Sequence, residues 1–245
     1  MIVTIKKFFR SLMPPFILKY FGQKKIQEFN GLSPKETFTK IYKENVWGGK
    51  QGDFHSGLGS VNPATIKYAS AVSDFINKNS ITSIFDMGCG DFRVGGLLTS
   101  NNPALKYTGG DIVEDLVANN NNKFGNNNIS FQCINAIDDE LPVAELCLIR
   151  QVLQHMDNQQ IIQILKKISN YKYVIITEHL PTGENIKVNL DKINGPHIRL
   201  YENSGVFIDL PPFDQPSEIF LKYDEPFELY GKLRPAVLKS YLIKN

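Results

Sequence analysis

The stretch that decides the fold is IFDMGCGD, residues Ile84–Asp91, in which an apolar run ends in a turn with two glycines. Glycines let a ligand approach the backbone closely, and the carboxyl edge of an open α/β sheet is where such folds bind cofactors. Asp111 follows the next apolar run, about twenty residues after the glycines, where an acidic side chain accepts hydrogen bonds from both ribose hydroxyls. The pattern therefore predicts a site for a ribose-containing cofactor at Gly88, Gly90 and Asp111.

Short apolar runs alternate with helical patterns along the chain after residue 80. Five such runs predict strands that pair into a parallel sheet, as in a Rossmann-like α/β fold. The helices between them are expected at about residues 94–99, 114–123 and 158–169. The predicted strands are Ile81–Met87, Tyr107–Ile112, Ile129–Ile134, Leu146–Ile149 and Tyr173–Thr177.

The composition of the chain indicates which kinds of partner the protein binds and in which state its cysteines are. The chain has 245 residues, 42% of them hydrophobic, and a net charge of +2 from 27 basic and 25 acidic side chains. Such an even balance argues against a nucleic-acid partner and favours a compact, uncharged or modestly anionic small molecule as substrate. Cys89, Cys133 and Cys147 each lie in or beside an apolar run without the spacing of a zinc or redox motif. They are predicted to be reduced core thiols in a cytoplasmic protein.

The region before residue 63 differs from the rest of the chain. Residues 1–62 are predicted to form an N-terminal helical extension to a cofactor-binding domain over residues 63–245. Apolar residues recur at helical spacing over Ile2–Leu12, which favours a helix packed on the domain, with weak contact to an anionic membrane surface as the alternative. No apolar stretch reaches the roughly 20 residues of a membrane span. The glycine-rich segment Trp47–Ser60 is expected to be a flexible lid over the cofactor.

Two cofactor classes use a glycine turn followed by an acidic residue, and the residues around the turn distinguish them. A dinucleotide fold would have a third glycine at position 93, where this chain has Arg93. Asp86, just before the turn, would repel a pyrophosphate, whereas its carboxylate helps to hold a cationic amino group. These residues favour S-adenosylmethionine over NAD.

Four motifs between about residues 81 and 178 together resemble those of class I S-adenosylmethionine-dependent methyltransferases. The resemblance implies a mostly parallel seven-stranded sheet with helices on both faces, in addition to the N-terminal extension. The motifs are Asp86–Gly90 for the glycine turn, Gly109–Ile112 for the ribose-binding strand end, Asn135–Ile137 beside the adenine, and Leu148–Met156 for the fourth strand and its following helix.

The same resemblance implies which residues contact the cofactor. Asn135 departs from the acid that the family usually has there, and Glu145 replaces an Asp common before the fourth strand. Arg150 either guides the carboxylate of the cofactor or forms an ion pair with Glu145 or Glu178, and its place just past the fourth strand favours the cofactor. The implied contacts are Asp86, Gly88, Cys89, Gly90, Asp111, Ile112, Asn135, Ala136 and Arg150.

The flanking segments resemble a narrower group, the methyltransferases of bacterial capsule and surface-polysaccharide pathways. The segments are Trp47–Gly49, Ser56–Ser60, Thr177–Pro181 and Gly205–Phe213. This resemblance implies O-methyl transfer to a hydroxyl of a sugar, a sugar nucleotide or a related capsule modification such as a phosphoramidate. Two other functions stay open: a non-catalytic member of the fold that binds the cofactor or a partner, and an NAD-dependent oxidoreductase.

An alcohol acceptor needs a base to take its proton, and the chain has four histidines. His179 is the first choice because it follows the fifth strand at the carboxyl edge, beside Glu178, which would orient its ring. His155 is the second choice, although its apolar surroundings favour a packing role. His55 lies in the glycine-rich segment, where it would contact substrate or solvent.

An insertion at about residues 180–205 is expected to cover the acceptor pocket. It contains His197, with Arg199 to hold a phosphate or carboxylate and Asp191 to hold a sugar hydroxyl. A solvated loop is the alternative interpretation. Asn189 and Asp191 offer oxygen ligands for a divalent metal, but the set is too sparse, and no metal is predicted.

Overall fold

The computed structural model describes residues 27–50, 52–60 and 63–245, so the helix predicted over Ile2–Leu12 lies outside the described residues. The described residues form five α-helices and eleven β-strands. None of these helices is long and apolar enough to cross a membrane. The helices are α1 Pro34–Lys43, α2 Pro63–Lys78, α3 Arg93–Asn101, α4 Glu114–Phe124 and α5 Asn158–Lys167. The strands are β1 Ser83–Met87, β2 Lys106–Asp111, β3 Ile129–Cys133, β4 Leu146–Arg150, β5 Tyr173–Pro181, β6 Lys187–Val188, β7 Ser204–Gly205, β8 Glu218–Asp224, β9 Phe227–Leu229, β10 Lys232–Arg234 and β11 Ala236–Lys244.

Seven strands form one sheet in the order β3-β2-β1-β4-β5-β11-β8. The first five pair in parallel, whereas β11 runs antiparallel to both of its neighbours, β5 and β8. All five strands predicted from the apolar runs are present. The expected fold class, a mostly parallel seven-stranded sheet with helices on both faces, is confirmed. Strands β1, β4 and β5 lie in the middle of this sheet and are covered on both faces, which explains why most of their residues are apolar.

Hydrophobic cores lie on the two faces of the sheet. Successive residues of a strand point to opposite faces, so Ile84 and Phe85 of β1 belong to different cores. The core around Phe85 is closed by α5 through Ile161 and Ile164. The core around Ile84 is closed by α2, α3 and α4, with Val72 as the buried centre of the α2 contact. The rigid sheet between these cores fixes the positions of its carboxyl ends.

Helix α1 attaches the described N-terminal part to the sheet domain. It begins with a capping box, in which the Ser33 hydroxyl accepts from the Glu36 N–H and the Glu36 carboxylate accepts from the Ser33 N–H. These two bonds satisfy backbone donors that the first helical turn leaves free. The buried face of α1, which includes Ile41 and Tyr42, packs against Leu116 of α4. This contact brings Tyr42 to the sheet edge that carries the glycine turn.

The predicted insertion after β5 is a packed, irregular segment. It contains the parallel pair of β6 and β7 and a short 3₁₀ turn, Arg199–Glu202. Asn189 is buried, and its amide nitrogen donates to the carbonyls of Phe207, Leu210 and Pro211 at 2.8–3.2 Å. The insertion is therefore packed around Asn189, while much of the rest of it is exposed.

One of the three cysteines departs from the prediction that all are buried core thiols. Cys89 and Cys147 are buried free thiols, as predicted, whereas Cys133 is exposed. Cys133 ends β3, an edge strand with a single buried residue, Phe131. The apolar run around Cys133 is covered less than the central strands because no further strand of the described residues pairs beyond β3.

Candidate active site

A cavity of about 750 Å³ opens at the carboxyl edge of the sheet, where β1, β2, β4 and β5 end. Small-molecule sites typically occupy about 300–1,000 Å³. The structure brings together most of the residues that the sequence predicted for the site. Those that line the cavity are Asp86, Gly88, Cys89, Gly90, Asp111, Ile112, Asn135, Ala136, Arg150, His155 and His179.

Backbone hydrogen bonds to β2 fix the conformation of the glycine turn after β1. The N–H groups of Gly88 and Cys89 both donate to the carbonyl of Gly110, at 2.8 and 3.0 Å. Gly88 has a φ of 72°, and a Cβ atom there would lie 2.5 Å from a methyl carbon of Val152. Since most side chains avoid this conformation, any other residue at position 88 would be both strained and too close to Val152.

Asp111 connects this turn to the end of β2. Its carboxylate accepts from the Gly90 N–H at 3.2 Å and from the Val113 N–H at 3.1 Å. Burial raises the pKa of Asp111 to about 6. The carboxylate is therefore mostly ionised at neutral pH and faces the cavity with acceptor capacity remaining, because each carboxylate has about four lone-pair positions.

Asp86 lies one position before the end of β1 and is almost fully buried. It accepts a hydrogen bond of 2.7 Å from the Tyr107 hydroxyl. Burial raises the pKa of Asp86 to about 6, although the Tyr107 hydroxyl and the charge of Arg150 act in the opposite direction. A cationic group in the cavity would favour the ionised form of this carboxyl.

Arg150 ends β4 and reaches the glycine-rich segment. Its guanidinium donates to the Gly59 carbonyl at 3.0 Å and lies over the Tyr68 ring, 5.2 Å from the centroid. The alternative ion pair with Glu145 is not formed, because the Glu145 carboxylate accepts from Thr82 instead. Arg150 therefore lies at the cavity wall, where it contributes a positive charge.

Asn135 and Ala136 follow β3 and border the cavity. The Asn135 side chain turns toward its own loop: its amide donates to the Asp138 carboxylate at 2.6 Å, and its oxygen accepts from the Ile137 N–H at 3.2 Å. The contribution of this turn to the cavity wall is therefore mainly backbone and apolar surface.

Glu178 and His179 do not make the predicted contact. They are consecutive in β5, and neighbouring strand residues point to opposite faces. The Glu178 carboxylate is fully buried and accepts from the Leu153 N–H at 3.1 Å, and burial raises its pKa to about 8. The His179 ring instead borders the cavity, and its Nε2 bonds the carbonyl of Glu225. That carbonyl, rather than Glu178, orients the ring.

His155 is also a cavity residue, although it is buried among aromatic rings. Its centroid lies 5.1 Å from that of Trp47 and 6.3 Å from that of Phe38. Its Nδ1 bonds the Gly195 carbonyl at 3.0 Å. Burial lowers the pKa of His155 to about 3, with a contribution from the positive charge of Lys192. The ring is therefore neutral throughout the physiological range.

The predicted substrate residues of the insertion do not reach the large cavity. The Arg199 guanidinium donates to the carbonyls of Leu190 and Met156, at 2.6 and 2.8 Å, which holds the insertion together. The Asp191 carboxylate accepts from the N–H of Asn158, the first residue of α5. Asp191, His197 and Arg199 instead border a second, smaller cavity. The predicted roles of Asp191 and Arg199 at the acceptor pocket are corrected accordingly, because both side chains bond backbone groups of the insertion and of the segment that leads into α5.

His55 is likewise absent from the cavity wall. Its ring Nδ1 accepts from the Gly57 N–H at 3.0 Å, which stabilises the local turn of the glycine-rich segment. No group of three or more His, Cys, Asp or Glu side chains in the described ranges is arranged to hold a metal ion.

The glycine-rich segment forms one wall of the cavity through Ser56. The Ser56 N–H donates to the Asp91 carboxylate at 3.2 Å, and the Asp91 N–H donates to the Ser56 hydroxyl at 2.7 Å. The Tyr42 hydroxyl lies 2.9 Å from the same oxygen. These bonds attach the segment to the residue that directly follows the glycine turn.

Several residues at the cavity were missed by the sequence interpretation. Glu225 and Phe227 come from the β9–β10 hairpin region between the last two strands of the sheet, and Tyr201 comes from the insertion. No local signal in the sequence marks them, since their place at the cavity depends on long-range packing.

The fold is similar to those of several solved structures, an N-methyltransferase among them. The N-methyltransferase NodS from Bradyrhizobium japonicum, solved with S-adenosyl-L-homocysteine, matches with a TM-score of 0.52 and 9% identity over 74% of this chain and 88% of NodS. TehB from Haemophilus influenzae matches with a TM-score of 0.50 and 16% identity over 71% of this chain and 61% of TehB. TnmH matches with a TM-score of 0.42 and 22% identity over 51% of this chain and 38% of TnmH. No protein-family model and no curated protein matches the chain. The chain has the Rossmann-like methyltransferase fold.

Proposed function

We propose that this protein is an S-adenosylmethionine-dependent methyltransferase. The observation that carries the proposal is the pair formed by the open glycine turn and the Asp111 carboxylate, which meet at the carboxyl edge of β1 and β2. An acid at this position suits the two hydroxyls of a ribose. The buried Asp86 carboxyl adds a partner for a cationic amino group. The cavity volume and the donor and acceptor groups around it therefore fit this cofactor.

We further propose that the methyl acceptor is a hydroxyl of a small sugar-related molecule. The cofactor, when bound, supplies a methyl group already activated by its sulfonium, so the protein must mainly align the acceptor and manage its proton. His179 is placed for the second task, because its Nε2 bonds a carbonyl, which only accepts, and its Nδ1 is left as an acceptor. The flanking segments that resemble capsule methyltransferases support a sugar-related acceptor in the cytoplasm.

An NAD-dependent oxidoreductase is the alternative enzyme. Arg93 stands where a dinucleotide fold would have its third glycine, and it pairs with Asp91 at 3.1 Å beside the turn. The side chain at position 93, which replaces the glycine, and the negative charge of the Asp86 carboxylate both disfavour a pyrophosphate. A thermal-shift comparison distinguishes the two, since a ligand that binds only the folded state raises the melting temperature. S-adenosylhomocysteine is expected to raise it and NAD to leave it unchanged.

The experiment that tests the cofactor site is calorimetric titration of S-adenosylhomocysteine into the wild type and Asp111→Asn. Removing the charge should weaken binding by about 1–3 kcal/mol, the range for hydrogen bonds to a charged group. Asp115→Asn, an exposed change in the first turn of α4, is the matched control and should bind normally. Unchanged affinity in Asp111→Asn would remove Asp111 from the site. Mass spectrometry of sugars and sugar nucleotides after incubation with S-adenosylmethionine then separates an enzyme from a non-catalytic binding protein.

A further inference from the structure

The turn after β3 lies where the base of a nucleoside cofactor would bind. The strand order β3-β2-β1 places the end of β3 beside the end of β2, and the Ile134 N–H donates to the Asp111 carbonyl at 2.9 Å. A nucleoside whose ribose lies at Asp111 therefore has its base beside residues 135–139, the first three of which border the large cavity. We call residues 135–139 the base turn.

Hydrogen bonds within the base turn fix which way its peptide groups point. The Asn135 carbonyl accepts from the N–H groups of Asp138 and Asp139, at 3.1 and 2.9 Å. The N–H and C=O of one trans peptide group point in opposite directions, so the Ala136 N–H points away from the interior of the turn. It has no hydrogen-bond partner among the described residues. This donor is therefore available to a ring nitrogen of a base.

Lys167, the last residue of α5, holds the base turn from outside the cavity. Its ammonium donates to the carbonyls of Ala136, Ile137 and Asp139, at 3.1, 2.6 and 2.9 Å. An ammonium has three donors, so this turn uses all of them. No carboxylate in the described part of the chain forms an ion pair with Lys167. The charge of Lys167 therefore acts on the three carbonyls, and charge-assisted bonds of this kind are stronger than neutral ones.

The base turn depends on these bonds because it has few buried contacts of its own. Asp138 and Asp139 are exposed, and Asn135 to Ile137 are only half-buried. Segments with few buried contacts open locally. Three carbonyl oxygens that converge on one point also repel each other when no cation lies between them. A turn that is ordered before the ligand arrives lowers the entropy cost of binding.

We propose that Lys167 is a positioning residue for the cofactor, which holds the base turn in the conformation that receives the base. Lys167 itself does not border the large cavity, so it acts through the three carbonyls of the turn. The identity of the ligand rests on the proposed function, whereas the order of the turn in the ligand-free protein does not.

The test is calorimetric titration of S-adenosylhomocysteine into the wild type, Lys167→Met and Lys166→Met. Methionine keeps an unbranched stem and removes the three donors, so Lys167→Met should bind about 3- to 30-fold more weakly, as for lost hydrogen bonds to a charged group. Lys166→Met removes an exposed charge from the same last turn of α5 and should bind like the wild type. Because affinity is measured on folded protein, a change in stability alone would not produce this difference.

Hydrogen exchange of the ligand-free proteins tests the positioning directly. Peptides that cover residues 135–139 should exchange about 3- to 30-fold faster in Lys167→Met than in the wild type, and at the wild-type rate in Lys166→Met. A wild type that does not bind S-adenosylhomocysteine would contradict the proposed function, and the exchange rates would then decide the role of Lys167. Equal affinity of Lys167→Met and a wild type that binds, or equal exchange of the base turn, would overturn the proposal.

Discussion

Backbone carbonyls select the tautomer of the neutral ring in two histidines at the large cavity. The Glu225 carbonyl bonds Nε2 of His179, and the Gly195 carbonyl bonds Nδ1 of His155. A carbonyl accepts only, so each ring donates there and keeps its other nitrogen as an acceptor. Burial lowers the pKa of both rings, to about 3 for His155. The large lowering makes the His155 ring a weak base, which leaves His179 as the candidate base.

The first prediction concerns His179. His179→Ala should lower the rate of methyl transfer by about 100- to 10,000-fold, the usual effect of losing a general base, with little change in S-adenosylhomocysteine affinity. Rates at saturating acceptor and calorimetric affinities measure the two effects. His55→Ala is the matched control, because His55 does not border the cavity. A near-wild-type rate in folded His179→Ala would exclude this base and direct attention to His155.

The second prediction concerns Glu178, whose carboxyl is buried and whose pKa is raised to about 8 from 4.5. A raised folded pKa means that the native state holds the proton more tightly than the unfolded state. Its stabilising contribution is therefore complete below about pH 4.5 and is lost as the pH rises through about 8. Glu178→Gln mimics the neutral acid and does not titrate.

Urea denaturation measures the consequence. Glu178→Gln should match the wild type below about pH 5 and exceed its free energy of unfolding by a few kcal/mol above about pH 9, since one pKa unit corresponds to about 1.4 kcal/mol. The exposed Glu184→Gln should show the pH dependence of the wild type. A constant difference between Glu178→Gln and the wild type at all pH values would contradict the neutral state of Glu178.

At the scale of elements, the glycine-rich segment is attached to the sheet at two points. Ser56 bonds Asp91 after the glycine turn, and Gly59 bonds Arg150 at the end of β4. Both anchors are residues of the cavity wall. A ligand that orders the glycine turn should therefore also order this segment, which is the lid proposed from the sequence.

The third prediction is that hydrogen exchange over residues 52–60 slows when S-adenosylhomocysteine binds. Closure over the ligand protects backbone amides that otherwise open locally. Ser56→Ala removes the hydroxyl that accepts from the Asp91 N–H, one of the two bonds between these residues, and should reduce the slowing. Peptides of the central strand β4 serve as an internal reference. The same exchange with and without ligand in the wild type would show that the segment is a fixed wall rather than a lid.

At the scale of the whole molecule, the described N-terminal part shares its core with the sheet domain. Ile41 has no exposed surface and belongs to one cluster with Val113 and Leu116 of the α4 region. Trp47 of the same part bonds the Pro196 carbonyl in the insertion at 3.3 Å. These contacts lead us to propose that the extension and the domain unfold together.

The fourth prediction follows from this shared core. Ile41→Ala should destabilise the protein by about 2–5 kcal/mol, the cost of a large-to-small change in a core. Because Trp47 is the only tryptophan of the chain, its fluorescence reports on the extension, while far-ultraviolet circular dichroism reports on the whole protein. The two urea transitions should coincide and shift together in Ile41→Ala. Separate transitions would indicate an extension that folds as an independent unit.

Local sequence determined the parts of the molecule that depend on short-range pattern. The apolar runs of β1 to β5 predicted the parallel sheet, because strands buried on both faces, such as β1, β4 and β5, are rich in apolar residues. Gly88, Gly90 and Asp111 predicted the sheet edge at which the large cavity opens, because a turn of that kind needs glycine and the strand order brings the ends of β1 and β2 together. Predicting these features requires only the order of the elements along the chain and the faces that each element buries.

The tertiary structure alone decided which polar side chains face the cavity. Glu178 is next to His179 in sequence, yet the pleat of β5 sends it to the opposite face, where it bonds Leu153. Arg199 bonds carbonyls of the insertion, whereas Glu225 reaches the cavity from a distant hairpin region. The physical reason is that hydrogen-bond partners in irregular segments are chosen by three-dimensional packing, for which the sequence has no periodic signal.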